Sequence, residues 1–217
     1  MMFKFADWLL DYSSYFLAFP IAVAGYRYRF ITGELRYIVG LIALSILTET
    51  VMYVIVKNGI RNNLFIVHIY TVFHFNIIAL FYFSYFGYFY RRSLVPLLMV
   101  LFTVFAVVNT LFFQKLTEFN TNALGLESIL VVILSILCYY KMITELASKE
   151  PEKKPAFWIN SGFLFYFAGN IVLFILSNVL LKENKDFNYL SWGLHSLLLV
   201  LLYISISIGL WFSPHQK

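Results

Sequence analysis

The chain is a succession of long apolar runs broken by short stretches of charge and turn-forming residues. Seven runs approach or exceed the roughly 20 residues a helix needs to cross a bilayer. They are Ala6–Tyr26, Tyr37–Val56, Leu64–Phe86, Leu94–Phe113, Ala123–Tyr140, Phe157–Leu181 and Tyr189–Phe212. Between them stand YRYRFITGELR, KNGIRNN, GYFYRRS, QKLTEFNTN, KMITELASKEPEKKP and KENKDFN, each combining charge with Gly, Asn or Pro as turns do. The longest interruption, Lys141–Pro155, is too short to form a domain. The pattern predicts an all-α integral membrane protein, one domain over residues 1–217, folded as a seven-transmembrane-helix bundle. Pro20 predicts a kink in the first helix.

Composition supports a lipid solvent. The chain is 61% hydrophobic and 12% charged, whereas soluble domains are about 45–50% apolar and about 25% charged. Its 24 Phe and 16 Tyr suit helices packed in hydrocarbon with aromatic belts at the interfaces. FYFSYFGYFYRR (81–92) reads as such a belt, with arginine anchors. The N-terminus carries Asp7 and Asp11 where a signal peptide has a basic start and an apolar core, so it is expected to be retained. Cys138 is the only cysteine, which excludes an intrachain disulfide and a cysteine-based metal cluster.

The net charge of +5 does not call for a nucleic-acid partner, because loop Lys and Arg in membrane proteins chiefly set orientation. With the N-terminus outside, ten basic residues face the cytoplasm: Arg27, Arg29, Arg36, Arg91, Arg92, Lys141, Lys149, Lys153, Lys154 and Lys217. Six face out: Lys4, Lys57, Arg61, Lys115, Lys182 and Lys185. The excess predicts N-out, C-in, in a bacterial inner (cytoplasmic) membrane.

Ionisable residues inside a bilayer are costly and usually face the bundle interior, which makes each a functional candidate. Counting along antiparallel hairpins places Glu49, His68, Asn109, Glu127, Asn178 and His195 in one layer, seven to eleven residues from the midpoints of the outer loops. Asp11 reaches toward its upper edge, and His74, Asn76 and Asn170 form a deeper layer. The inner half offers mainly hydroxyls and tyrosines. This one-sided polarity predicts a cavity opening outward, with Glu49, His68, His74, Asn109, Glu127, Asn170, Asn178 and His195 as candidate ligand-binding residues. Asn109 and Asn178 also fit interhelical hydrogen-bonding roles, and Glu127 could snorkel to the interface. His68 and His74, six apart, point about 120° away from each other on an ideal helix. Glu49 is expected to face inward and meet His68, His195 or Glu127.

Glu49, His68, Glu127 and His195 are the right donor types for zinc, although no short metal-binding spacing such as HExxH occurs. Seven-helix zinc hydrolases acting on lipids carry two histidines on the last helix, and here that helix has only His195. Retinal is excluded, because Tyr189–Phe212 contains no lysine for a Schiff base. No catalytic residue and no cofactor can be assigned, so an enzyme is not the favoured reading.

HIYTVFHFNIIALFYF (68–83), FWINSGFLFYFAGNIVLF (157–174) and WGLHS (192–196) resemble small bacterial seven-helix membrane proteins, themselves similar to the membrane modules of sensor histidine kinases. In that pattern the position of His74 is often glutamate, so the chain departs there. The resemblance implies sensing, without a catalytic role to carry over. The leading reading is a sensor or receptor-like module whose outward polar cavity binds a small ligand or ion. Besides the lipid bilayer, its expected partner is a cytoplasmic or membrane signalling protein, or a second copy of the chain. The rival readings are a membrane-embedded hydrolase, zinc-dependent or not, and a small transporter or pore.

Overall fold

A computed structural model describes residues 2–60, 62–145, 150–183 and 185–213, the side chains of 2, 3 and 178–185 excepted. All regular structure among them is helical. Among them six helices are long and apolar enough to cross a membrane, the length and composition of a multi-pass membrane protein. A 23-residue helix such as Leu64–Phe86 is about 35 Å long, more than the roughly 30 Å of bilayer hydrocarbon.

The first segment departs from expectation. It is not one helix but α1 (Met2–Tyr12), a 3-10 turn over Ser13–Leu17, and α2 (Ala18–Tyr26). Pro20 accounts for the break: it has no N–H for the Phe16 carbonyl and its ring crowds that turn, so the chain tightens just ahead of it. The expected kink is therefore a distributed distortion placed one turn earlier.

The six long helices are α3 (Leu35–Lys57), α4 (Leu64–Phe86), α5 (Leu94–Val108), α6 (Thr121–Thr144), α7 (Pro155–Glu183) and α8 (Lys185–Trp211). Helix α5 runs on through a π turn, Asn109–Phe113. Consecutive helices are antiparallel. The N-terminus and the turns after α3, α5 and α7 lie at one end of the bundle, called here the N-terminal end. The turns after α2, α4 and α6 lie at the other, with the last residues of α8. Helices α4, α6, α7 and α8 form the centre. Helix α3 packs on α4, α5 on α4, and the α1–α2 segment along α8.

Small residues let these helices approach closely. A methyl group on Gly193 of α8 would come within 2.9 Å of the Ala6 Cβ, so this glycine seats α1 on α8. On Gly209 it would meet Ile159 Cγ1 at 2.6 Å and the Pro155 carbonyl oxygen at 2.9 Å, and that backbone cannot step aside.

The C-terminal half is closed by polar groups that satisfy one another. Tyr82 Oη donates to Asn160 Oδ1 (2.8 Å) and pairs with Ser135 Oγ (2.8 Å), while Asn160 Nδ2 donates to the Ser135 carbonyl (3.2 Å). All three residues are fully buried. Lys141 Nζ donates to the carbonyls of Tyr85 (2.6 Å) and Phe86 (3.1 Å), capping the last turn of α4. Arg27 ties the end of α2 to the end of α8, its guanidinium bonded to the Ser213 hydroxyl and carbonyl. The sequence reading of this half as hydroxyls and tyrosines overlooked Asn160. The aromatic run 81–92 is also only partly a belt. Tyr88 is 84% exposed with Arg92 over its ring, but Phe81 and Tyr82 are core residues.

Candidate functional site

At the N-terminal end the helices part around a cavity of about 440 Å³. Helix α3 contributes Ser45, Thr48, Glu49 and Met52, the 3-10 turn Ser14, and α4 Val67 and Tyr70. Helix α7 adds Tyr166 and Phe174, and α8 adds Trp192, His195, Leu199 and Tyr203. His195, Leu199 and Tyr203 follow one another at four-residue steps, so they form a single stripe on α8. Among the described residues no Asp, Glu, Lys or Arg lines the lateral grooves between α4 and α5 and between α7 and α8.

Glu49 lines the cavity as an exposed side chain. Its Oε1 accepts a hydrogen bond from Ser14 Oγ (3.0 Å), and not from any of the three expected partners. The interrupted first segment explains the exchange: the 3-10 turn brings Ser14 against α3 at the depth of Glu49.

His195 is half-buried behind the rings of Tyr166, Phe174 and Trp192. Its Nδ1 lies 3.2 Å from Asn170 Oδ1, while Asn170 Nδ2 donates to the Tyr166 carbonyl (2.7 Å). The amide oxygen can only accept, so Nδ1 carries the proton and Nε2 is left as an acceptor in a cavity-lining ring.

Below the cavity is a void of about 30 Å³, which also touches Ser45, Tyr70, Tyr166, Leu199 and Tyr203 and reaches His74. The void has room for water. His74 Nδ1 lies 2.6 Å from Glu127 Oε1, a short hydrogen bond between α4 and α6. Tyr70 stacks on the His74 ring with centroids 4.7 Å apart. Glu127 does not snorkel: it is 0% exposed, and its Oε2 has no hydrogen-bond partner among the described residues.

The remaining candidates are held elsewhere. His68 Nε2 donates to the Glu118 carbonyl (3.1 Å) and Nδ1 lies 3.0 Å from Thr110 Oγ1, so both nitrogens are spent on loop and α5 contacts. It does diverge from His74, as the helix geometry predicted. Asn109 bonds Gln114 (2.8 Å), Asn120 (3.2 Å) and Asn122 (2.8 Å) and so braces the loop between α5 and α6. Asn76 ties α4 to Thr103 of α5 (3.0 Å). The Asn178 side chain, Arg61, Lys149, His215 and Lys217 lie outside the described residues.

The polar layer thus divides into a cavity group (Glu49, His195, Asn170), a buried pair beneath it (His74, Glu127) and loop braces (His68, Asn109). The proposed zinc quartet Glu49, His68, Glu127 and His195 does not assemble. Among the described residues no three His, Cys, Asp or Glu side chains stand close enough to hold one ion. Hairpin depth had placed them in one layer, but depth does not say which side of a helix a residue occupies. The sequence reading put Tyr166 on one stripe with Asn170 but missed Tyr70, Tyr203 and Trp192, which also wall the cavity, because a polar-residue count ignores rings that read as lipid-facing. The four-residue spacing of Tyr70 with His74, and of His195 with Tyr203 through Leu199, carried the signal.

No family model, no curated protein and no solved structure matches the chain.

Proposed function

We propose that the protein is a receptor-like sensor module of a bacterial inner membrane, binding a small ligand in the cavity between α3, α4, α7 and α8. The observation that carries this reading is the cavity itself. Its volume of about 440 Å³ falls in the range of roughly 300–1,000 Å³ typical of small-molecule sites. Its wall has the composition of such sites, mostly apolar and aromatic with a few polar groups. In this reading the α1–α2 segment makes a seventh crossing, the N-terminus lies outside, and the cavity opens outward.

The same reading supplies a route for the signal. A ligand pressing on Tyr70 acts on the stacked His74, and through it on Glu127 of α6. Helix α6 ends at Thr144, where the 141–155 segment would meet a cytoplasmic or membrane partner or a second copy of the chain.

A thermal-shift screen of small amines, alcohols and acids tests the binding claim, run on the wild type and on Thr48→Trp, whose indole projects from the cavity wall and obstructs the space. Ligands stabilise the state they bind, so at least one compound should raise the wild-type Tm by about 2 °C or more and leave Thr48→Trp unmoved. If none does, or if every stabiliser acts equally on the variant, the cavity is not a ligand site. Reporter fusions at Ser148 and Lys217 should both report cytoplasm; a periplasmic signal at either overturns the orientation.

A further inference from the structure

We infer that the cavity selects an organic cation, a protonated amine carried on an aromatic or apolar body. The inference rests on the reading of the cavity as a ligand site and adds the chemical class of the ligand.

Charge is the first argument. Among the described residues, Glu49 is the only carboxylate in the cavity wall and no Lys or Arg lines it. Its one hydrogen-bond donor among the described residues is the Ser14 hydroxyl, a neutral group. No described basic side chain forms an ion pair with it. A carboxylate in an apolar surrounding without a counter-charge favours a cation, because attraction between unit charges grows as the dielectric falls.

Aromatic surface is the second. Tyr70, Phe119, Tyr166, Phe174, Trp192 and Tyr203 all line the cavity. Ring faces carry negative quadrupole potential, and several rings around one space form the arrangement that receives alkylated ammonium groups. The same rings accommodate an apolar body.

Donor and acceptor balance is the third. The Asn170 contact spends the His195 proton and leaves Nε2 as an acceptor. An ammonium N–H therefore finds two acceptors, Glu49 and His195. An anion would find only neutral donors, hydroxyls and the Trp192 indole N–H, and would stand opposite Glu49.

Three probes with a common phenylethyl frame test this: phenethylammonium, 2-phenylethanol and 3-phenylpropionate. Binding is measured by titration calorimetry on the full chain in nonionic detergent, with empty micelles subtracted. The expected result is measurable binding of the ammonium, at least tenfold weaker binding of the alcohol, and weakest binding of the carboxylate. Glu49→Gln should bring the ammonium down to the level of the alcohol without changing the alcohol itself. Were the alcohol or the carboxylate to bind as well as the ammonium, or were Glu49→Gln to keep the preference, the cation class would be wrong and the ligand site would stand. If no probe binds the wild type, both the class and the cavity reading fall. Thr48→Trp is the control: probes that bind it as well as the wild type sit elsewhere, which also overturns the inference.

Discussion

Asn160 and Glu49 are both strongly polar side chains on apolar helices, in opposite halves of the bundle, and their surroundings differ. Asn160 is 0% exposed, and its amide is bonded to Tyr82 and Ser135 on two neighbouring helices. Glu49 holds one serine hydroxyl and faces a space of about 440 Å³. In one half these polar groups join helices; in the other, beside braces such as His68 and Asn109, several stand around a cavity. An unsatisfied polar group in hydrocarbon is costly, so partners in the C-terminal half serve stability, while unspent acceptors in the N-terminal half mark the surface where a ligand is received. The His74–Glu127 pair lies at the boundary, bonded like the first group yet adjoining the void under the second.

That boundary pair gives the largest expected effect. His74→Ala leaves Glu127 fully buried beside a lost partner and should cost about 3–5 kcal/mol of stability. Adding Glu127→Leu should recover much of it, because the uncompensated carboxylate is removed. Unfolding in mixed micelles measures both; a loss below about 1 kcal/mol for the single variant would show that the pair is not a structural link.

Bulk separates the halves next. Gly209→Val places methyl groups against the Pro155 carbonyl and Ile159 and should cost about 1–3 kcal/mol or more. One added methyl at the cavity wall, Ser45→Thr, should stay within about 0.5 kcal/mol. Equal costs would mean that the cavity is as tightly packed as the core.

Hydrogen bonds come third. Asn160→Ala removes the acceptor of Tyr82 Oη and one donor to Ser135, with an expected loss of about 1–2 kcal/mol. Smallest is Glu49→Gln, which should change stability by less than about 0.5 kcal/mol while removing the preference for a cationic ligand. A Glu49→Gln loss as large as that of Asn160→Ala would make Glu49 a structural residue.

These differences were unevenly legible in the sequence. Helix α4 is bounded as the apolar run predicts, Leu64–Phe86, because charge and Asn mark one end and Gly87 the other, at φ 56°. Five more long helices follow the same logic within a few residues. The first segment was legible only in part: Pro20 signalled a kink, but not that the preceding residues would tighten into the 3-10 turn that presents Ser14 to Glu49. The one-sided depth of Glu49, His195 and Asn170 was readable from hairpin counting. Pairing was not. His74 with Glu127, and His68 with a loop carbonyl, depend on helix rotation, which a run that is apolar all round leaves unspecified. Asn160 went unnoticed because its partners, Tyr82 and Ser135, are residues that apolar helices carry without consequence elsewhere.

Thiol accessibility tests the contrast between the halves most directly. The native Cys138 is 0% exposed in the closed half, and Thr48 lines the cavity alone of the two spaces. In detergent, where both ends meet solvent, a cationic methanethiosulfonate reagent is applied to the wild type, to Thr48→Cys and to the exposed control Tyr88→Cys. Thr48→Cys should react at a rate approaching that of Tyr88→Cys, while the wild type stays unmodified. If Cys138 in the wild type reacts as fast as the cavity thiol, or if Thr48→Cys is inert while Tyr88→Cys reacts, the division into an open and a closed half is wrong.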